Sequence, residues 1–266
     1  MDTRHLVDPE LLPGLELMPA FAFTPEILPQ IRAGMNEMMQ QRLAAAPASD
    51  VRVEERRVPG PAGAPEVRVL VYTPPGASGP RGGYLHIHGG GYVMGTPEMT
   101  DPQNKALASA VGCVIVSVDY RLAPETPHPG PVEDCYAALK WLHLNAAALG
   151  VDPRRIGIGG ESAGGGLAAA LALLARDRGE VPIVFQKLTY PMIDDRTVTR
   201  DPPHPFTGEF VWTASSNKFG WRSLLGQEPG SPGVSPYAAA SRAESLAGLP
   251  PTAGFIAKLY IFRVAL

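Results

Sequence analysis

Short apolar runs alternate with longer stretches of helical spacing through the middle of the chain. Tyr84–His88 and Cys113–Val118 have the length and the mostly apolar composition that buried parallel strands require. Pro131 opens a helical stretch that we expect to stop at Gly150. Strand and helix patterns alternate in this way over residues 83–191, which predicts an α/β fold with a mainly parallel sheet flanked by helices.

Two further patterns precede this region. Thr24 and Pro25 have the residue types of a helix cap and a first helical position. Apolar residues then recur at the spacing of one helix face, at Ile27, Ile31, Met35 and Met38. Val51–Val58 and Val67–Tyr72 are β-like runs joined by a turn rich in proline and glycine, which predicts a hairpin.

The strongest local signal is Gly160-Glu161-Ser162-Ala163-Gly164, which lies between a strand-like run and a helix-like run. A serine flanked by small residues in that context is typical of a nucleophile elbow. The tight turn leaves room only for Gly or Ala beside the serine, and the helix start supplies unpaired N–H groups and partial positive charge. The pattern predicts Ser162 as a catalytic nucleophile, with a purely structural turn as the alternative.

A second motif follows the strand-like run at Tyr84–His88. Gly89, Gly90 and Gly91 let the backbone approach a ligand without side chains in the way. Their N–H groups can point at one position and stabilise a developing oxyanion. The alternative is a flexible glycine loop, which fits less well beside the serine elbow because the two motifs occur together in esterases.

These motifs occur in order with two others, Ser117–Glu125 and Val132–Leu139. From about residue 10 to Thr252 the chain resembles the hormone-sensitive-lipase-like family of α/β-hydrolase esterases. The resemblance implies a single α/β-hydrolase domain over residues 1–266, with helical cap elements at about 1–48 and 196–227. It also implies a carboxylic ester hydrolase that cleaves short-chain acyl esters through a Ser162 acyl-enzyme. The alternative is a ligand-binding protein on a hydrolase scaffold that does not hydrolyse.

The resemblance further implies roles for particular residues. The donors to the oxyanion are the backbone N–H groups of Gly90, Gly91 and Ala163. Structural roles near the site fall to His88, Gly89, Glu161, Asp119, Arg121 and Glu125. His86, two residues before His88 on the same strand, is interpreted as a packed core histidine.

The chain departs from the family after Leu249-Pro250-Pro251-Thr252. There the family has a strand that ends in a catalytic Asp-Pro-Leu, and a catalytic His-Gly further along. Here no acidic residue follows Glu244, and the last histidine is His204, which we consider as a substitute base with Asp201 nearby. We therefore expect the triad Asp and His, the last strand and the last helix to be missing, through truncation or a shifted reading frame. A natural shortened variant is the alternative.

The apolar tail at residues 253–266 is predicted to form a strand with an exposed edge. Such an edge favours pairing with another chain, so we expect a homo-oligomer or aggregation through it. An uncovered sheet face would also leave the fold marginally stable and the chain weakly active.

Composition and charge exclude several classes of partner and site. With 266 residues, 45% of them hydrophobic, the chain has the size and composition of one soluble domain. A net charge of −3 argues against nucleic-acid partners, and no stretch is apolar enough to span a membrane. The lack of a signal-peptide pattern favours a cytoplasmic location. The partner that the resemblance implies is a small-molecule ester substrate. No metal or cofactor is indicated, and Cys113 and Cys135 are predicted to be buried free thiols.

Overall fold

A six-stranded sheet forms the centre of the protein, for which the computed structural model describes residues 3–16, 22–76, 79–200, 206 and 208–250. The strands are β1 Arg52–Val58, β2 Val67–Thr73, β3 Arg81–Ile87, β4 Val114–Asp119, β5 Val151–Glu161 and β6 Phe185–Thr189. Their order in the sheet is β1-β2-β4-β3-β5-β6. The pairs β1/β2 and β2/β4 are antiparallel, whereas β3 is parallel to both β4 and β5, and β6 is parallel to β5.

Helices cover both faces of this sheet. Their bounds are α1 Leu12–Glu16, α2 Leu28–Ala44, α3 Asp101–Val111, α4 Gly130–Leu144, α5 Ala163–Arg178 and α6 Ala214–Leu225. Apolar side chains of α4 and α5 form the main core with one face of the sheet, where Leu85 and Val116 are fully buried. On the opposite face, Ala108 of α3 lies in a cluster with Tyr72 and Ile115. The predicted α/β fold with a mainly parallel sheet is confirmed, and β1 and β2 form the predicted hairpin.

The N-terminal helix begins later than the sequence pattern predicts. α2 starts at Leu28, whose N–H donates to the Thr24 carbonyl oxygen, so that Thr24 and Pro25 precede the helix. Most of the predicted apolar face packs inward, since Ile31 is buried and Ile27 and Met35 pack against the same hydrophobic cluster. Leu28 and Met39 are buried, whereas Met38, predicted on the apolar face, is exposed.

The helix that contains Pro131 ends earlier than predicted. α4 stops at Leu144, and the Asn145 side-chain amide donates to the Trp141 carbonyl oxygen at 2.9 Å. Asparagine side chains compete in this way with backbone hydrogen bonds and favour helix ends. Gly150, with φ 66°, then turns the chain into β5.

Some sequence-based predictions fall on parts of the chain that lie outside the described residues. These are the tail at 253–266 with its predicted edge, and His204 with Asp201. Within the described part of the chain, no helix is long and apolar enough to cross a membrane. Cys113 and Cys135 are buried and free, as predicted.

Candidate active site

Strand β5 ends at the predicted nucleophile elbow. Ser162 follows the strand with φ 56° and ψ −118°, and α5 begins at the next residue. Non-glycine residues seldom adopt positive φ, and such strain persists only where the surroundings hold it. Here the Ser162 N–H donates to the Thr189 carbonyl oxygen at 3.0 Å, and the Ser162 carbonyl oxygen accepts from the Met192 N–H at 2.9 Å. The elbow is therefore hydrogen-bonded to the end of β6 and to the segment that follows this strand.

The glycines of this motif are required by the close approach of β3. A Cβ atom on Gly164 would overlap the carbonyl oxygens of Ile87 and His88. One on Gly160 would overlap the Ile87 oxygen and lie 2.7 Å from the Gly164 carbonyl group. A side chain at either position would push the elbow away from β3, so the position of the serine at this sheet edge requires glycine two residues before it and two residues after it.

The glycine loop lies against the elbow. A Cβ atom on Gly89 would be 3.5 Å from the Ser162 Cβ atom, so the two motifs are in contact. Gly90 and Gly91 have φ of 120° and 60°, conformations that favour glycine. Their N–H groups, and that of Ala163 at the start of α5, donate to none of the described residues. Gly89 and Gly90 line the same cavity as Ser162, whereas Gly91 and Ala163 are buried.

His88 fixes the start of the glycine loop. Its Nδ1 atom is 2.7 Å from the Gly89 carbonyl oxygen, and because that oxygen only accepts, Nδ1 carries the proton. The Tyr120 ring stacks on the imidazole at 4.3 Å, and the Tyr120 hydroxyl donates to the His88 carbonyl oxygen at 3.0 Å. Complete burial lowers the pKa of His88 to about 4, so the ring is neutral near pH 7.

Tyr92 anchors the other end of the glycine loop. It is buried with φ 68°, and its hydroxyl donates to the Met192 carbonyl oxygen at 2.7 Å. A Cβ atom on Gly166 of α5 would overlap that hydroxyl, so this glycine makes room for it. The Tyr92 carbonyl oxygen accepts from the Ala123 N–H at 3.0 Å. Met192 is therefore bonded both to the elbow and to the loop.

Three of the charged residues that the resemblance assigns to structural roles lie in ion pairs. The pairs are Asp119–Arg68 at 3.1 Å, Arg121–Asp134 at 2.7 Å and Glu125–Arg32 at 2.7 Å. Burial raises the pKa of Asp119, and Arg68 opposes this shift. Arg68 also binds Glu98, which lies just beyond the glycine loop. These pairs join loops to strands and helices around the site.

A separate hydrophobic cluster covers the glycine loop and draws on distant parts of the chain. Its buried members are Phe23, Leu28, Ile31, Val93 and Ala123. The Trp212 and Phe219 side chains pack against it, and a Cβ atom on Gly91 would overlap the Trp212 ring. From α2, Arg32 donates to the Val93 carbonyl oxygen at 2.7 Å and to that of Ala123 at 2.9 Å. Both α2 and the segment that contains α6 thus contact the loop directly.

The structure pairs Glu161 with His86, a contact that the sequence analysis missed. The His86 Nε2 atom is 2.9 Å from the Glu161 carboxylate, and its Nδ1 atom is 3.0 Å from the Ser117 hydroxyl. The interpretation of His86 as simple core packing is therefore incomplete, although the ring is buried. No local signal could have revealed the pair, because it depends on β3 lying between β4 and β5.

A cavity of about 380 Å³ opens beside Ser162. Its apolar lining consists of Tyr84, Met99, Leu107 and Tyr190. Among the described residues, no side chain hydrogen-bonds to the Ser162 hydroxyl. The same part of the chain contains no cluster of three or more His, Cys, Asp or Glu residues that could hold a metal ion.

The sequence of residues 84–264 matches a protein family described by the alpha/beta hydrolase fold. This match covers more than half of the chain and includes both the glycine loop and the serine elbow. The chain belongs to the hormone-sensitive-lipase-like family of α/β-hydrolases. The family resemblance drawn from the sequence motifs is thereby confirmed.

The sequence relatives of this α/β-hydrolase include proteins named as esterases. Carboxylesterase NlhH of Mycobacterium tuberculosis is 46% identical over 142 residues, which make up 53% of this chain and 44% of that protein. Esterase LipI of the same organism is 37% identical over 194 residues, or 71% of this chain and 58% of the relative. The chain spans about half the length of the curated relatives it matches.

Solved structures extend the likeness. The structure of a bacterial heroin esterase superposes with a TM-score of 0.88 at 43% identity, covering 94% of this α/β-hydrolase and 79% of that chain. A hyperthermophilic esterase from the archaeon Pyrobaculum calidifontis gives a TM-score of 0.80 at 34% identity, with coverage of 92% and 78%.

Proposed function

We propose that this protein is a carboxylic ester hydrolase that acts on small-molecule esters with short acyl groups. The observation that carries the proposal is the contact between a strained serine elbow and a glycine loop whose N–H groups have no acceptor among the described residues. The names of the relatives, which include a carboxylesterase and several esterases, support the same chemistry. A cavity of about 380 Å³ beside Ser162 suits a small substrate.

In the proposed reaction the Ser162 oxygen attacks the carbonyl carbon of the ester. The carbonyl oxygen becomes an oxyanion that accepts hydrogen bonds from the N–H groups of Gly90, Gly91 and Ala163. The intermediate collapses to an acyl-Ser162 ester and releases the alcohol, after which water attacks the acyl carbon and releases the acid. Each attack transfers a proton to a general base, which returns it to the departing alcohol in the first half of the reaction and to the Ser162 oxygen in the second. None of the described histidines contacts the Ser162 hydroxyl.

We also propose that α2 and the segment with Trp212 and α6 act as a cap over the site. The support is their direct packing on the glycine loop, through the Trp212 ring on Gly91 and through Arg32 on the Val93 carbonyl oxygen. A cap in this position would limit the size of the substrate that reaches Ser162. His88, Gly89, Glu161 and the paired residues around the loop would hold the shape of the site.

Labelling with a fluorophosphonate probe tests the nucleophile. Mass spectrometry should locate the probe on Ser162 in the chain, and Ser162→Ala should abolish the label. Hydrolysis of an aryl acetate and of a long-chain aryl ester by the same preparation tests the acyl preference, and the acetate should be cleaved faster. Labelling that persists in Ser162→Ala would contradict the assignment of Ser162 as the nucleophile. Tight ester binding without turnover would instead support the ligand-binding alternative.

A further inference from the structure

A chain of polar contacts crosses three adjacent strands just beneath the elbow. It runs from Ser117 on β4 through His86 on β3 to Glu161 on β5, with distances of 3.0 Å and 2.9 Å. Ser117 is fully buried and the His86 side chain is 3% exposed, whereas Glu161 is 25% exposed and lines the cavity beside Ser162. The cavity thus holds a carboxylate one residue before the proposed nucleophile.

We infer that His86 is a positioning residue that holds the Glu161 carboxylate against the sheet edge and away from the developing oxyanion. The inference rests on the proposed function and deepens it. An unrestrained carboxylate in this cavity could turn toward the N–H groups of the glycine loop, where it would compete with the oxyanion for the same donors. It would also repel the negative charge that forms in the transition state.

The chemistry of the contacts fixes the orientation of the His86 ring. A carboxylate only accepts hydrogen bonds, so Nε2 carries a proton and donates it to Glu161. On the other side, Nδ1 faces the Ser117 hydroxyl, with the Thr100 hydroxyl at 3.5 Å and the Asn104 amide at 3.4 Å. Polar partners on both sides of the ring fix its orientation, which points the Nε2 donor at Glu161.

Glu161 keeps its charge in this setting. Burial raises the pKa of the Glu161 carboxyl group. The His86 hydrogen bond and the positive charge of Lys187 on β6 lower this pKa by more than burial raises it, so the net shift is downward. Near pH 7 the group is therefore ionised. A permanent negative charge beside the oxyanion site needs a partner that fixes its direction, and the His86 ring donates a side-chain hydrogen bond to it.

A double-mutant cycle on the full chain tests the inference. His86→Leu should lower kcat for an aryl acetate by about 10-fold to 100-fold with little change in KM, because a misplaced charge affects the transition state. In a Glu161→Gln background, where the charge is gone, His86→Leu should change kcat by less than about threefold. His86→Gln, which retains an N–H donor, should restore most of the loss. Equal losses in both backgrounds would mean that His86 acts by packing alone and would overturn the inference.

A second measurement does not depend on turnover. In a ¹⁵N spectrum of the histidine rings, assigned with His86→Gln, His86 should have its proton on Nε2, and that signal should move in Glu161→Gln. A His86 ring with its proton only on Nδ1 would overturn the pairing. A chain that shows the expected signal but neither hydrolyses esters nor reacts at Ser162 would contradict the proposed function while the pairing stands, so the two failures are distinguishable.

Discussion

The serine elbow and the glycine loop meet at the same cavity, yet they are held in different ways. Besides its hydrogen bonds to Thr189 and Met192, the elbow depends on the absence of side chains, since Gly160 and Gly164 let it lie directly on the end of β3. The loop is fixed by added partners from elsewhere in the chain, namely Arg32, Trp212 and the carbonyl group of Met192. An elbow of this kind fails when anything is added to it, and a loop of this kind fails when a partner is removed.

The largest expected effect comes from adding a side chain to the elbow. Gly164→Ala places a Cβ atom onto the carbonyl oxygens of Ile87 and His88, and backbone atoms cannot move aside as a side chain can. We expect a loss of about 3 kcal/mol or more in the free energy of unfolding, with loss of labelling at Ser162. Urea denaturation and probe labelling measure the two effects.

Gly34→Ala is the matched control for this substitution. Gly34 lies in the exposed interior of α2, and no heavy atom lies within 4 Å of the position that an added Cβ atom would take. The same change should there raise the free energy of unfolding by about 0.5–1 kcal/mol, because alanine favours helix. If both variants had similar stability, close packing would not explain the elbow glycines.

The next largest effect concerns pH at the start of the glycine loop. The pKa of His88 is about 4 in the folded state against 6.5 for an unperturbed histidine, so between these values the unfolded chain binds a proton that the folded protein does not. Stability should therefore fall as the pH is lowered, by about 2 kcal/mol between about pH 7 and pH 5. Burial also lowers the pKa of His128, which adds a contribution of the same sign.

The predicted loss of stability is tested by urea denaturation at about pH 7 and pH 5, with the unchanged chain and with His88→Asn. Asparagine retains an N–H donor for the Gly89 carbonyl oxygen but does not titrate, so most of the slope should disappear. The elbow residues contain one titratable group, Glu161. Because its pKa is lowered, its contribution to the pH dependence of stability lies below the range between about pH 5 and pH 7. An unchanged slope in His88→Asn would assign the pH dependence to other groups.

The contrast between the two motifs also explains what the sequence could predict. The elbow follows from residues that are neighbours in the chain, and so do the strands at Tyr84–His88 and Cys113–Val118. The start of α2 could not be derived in this way, because the helix begins only at Leu28, which is buried in the hydrophobic cluster over the glycine loop. Local capping residues at Thr24 and Pro25 indicated an earlier start.

The long-range contacts of the site were out of reach for a similar reason. His86 meets Glu161 only because β3 and β5 are adjacent and in register, with His86 opposite Gly159. Trp212 meets Gly91 although the two residues are far apart in the chain. Neither contact has a signature in residue type or spacing, so the roles of both residues emerge from the sheet order and the packing above it.

Removing a partner from the loop should have a moderate effect. Arg32→Ala takes away the donors to the carbonyl oxygens of Val93 and Ala123, two buried residues, and leaves both oxygens without this partner. We expect a loss of about 1.5 kcal/mol in stability and a lower rate of Ser162 labelling, because the loop loses its tie to α2.

Arg154→Ala removes an arginine whose side chain is 86% exposed in its pair with Asp152, and it should change stability by less than about 0.5 kcal/mol. Equal effects of the two variants would contradict a specific tie between α2 and the loop.

The smallest effect is expected from deleting a single hydroxyl group. Tyr92→Phe keeps the buried ring and its contact with Trp221 but removes the donor to the Met192 carbonyl oxygen, which also belongs to the segment bonded to the elbow. A buried acceptor left without its partner costs about 1 kcal/mol, so the urea midpoint should fall slightly.

Tyr237→Phe removes a hydroxyl that pairs with exposed Asp177, and its midpoint should not change measurably. Because Met192 contacts both motifs, Tyr92→Phe should also slow labelling at Ser162, whereas Tyr237→Phe should not. If neither variant slowed labelling at Ser162, the loop and the elbow would keep their relative positions without the hydrogen bond between Tyr92 and Met192.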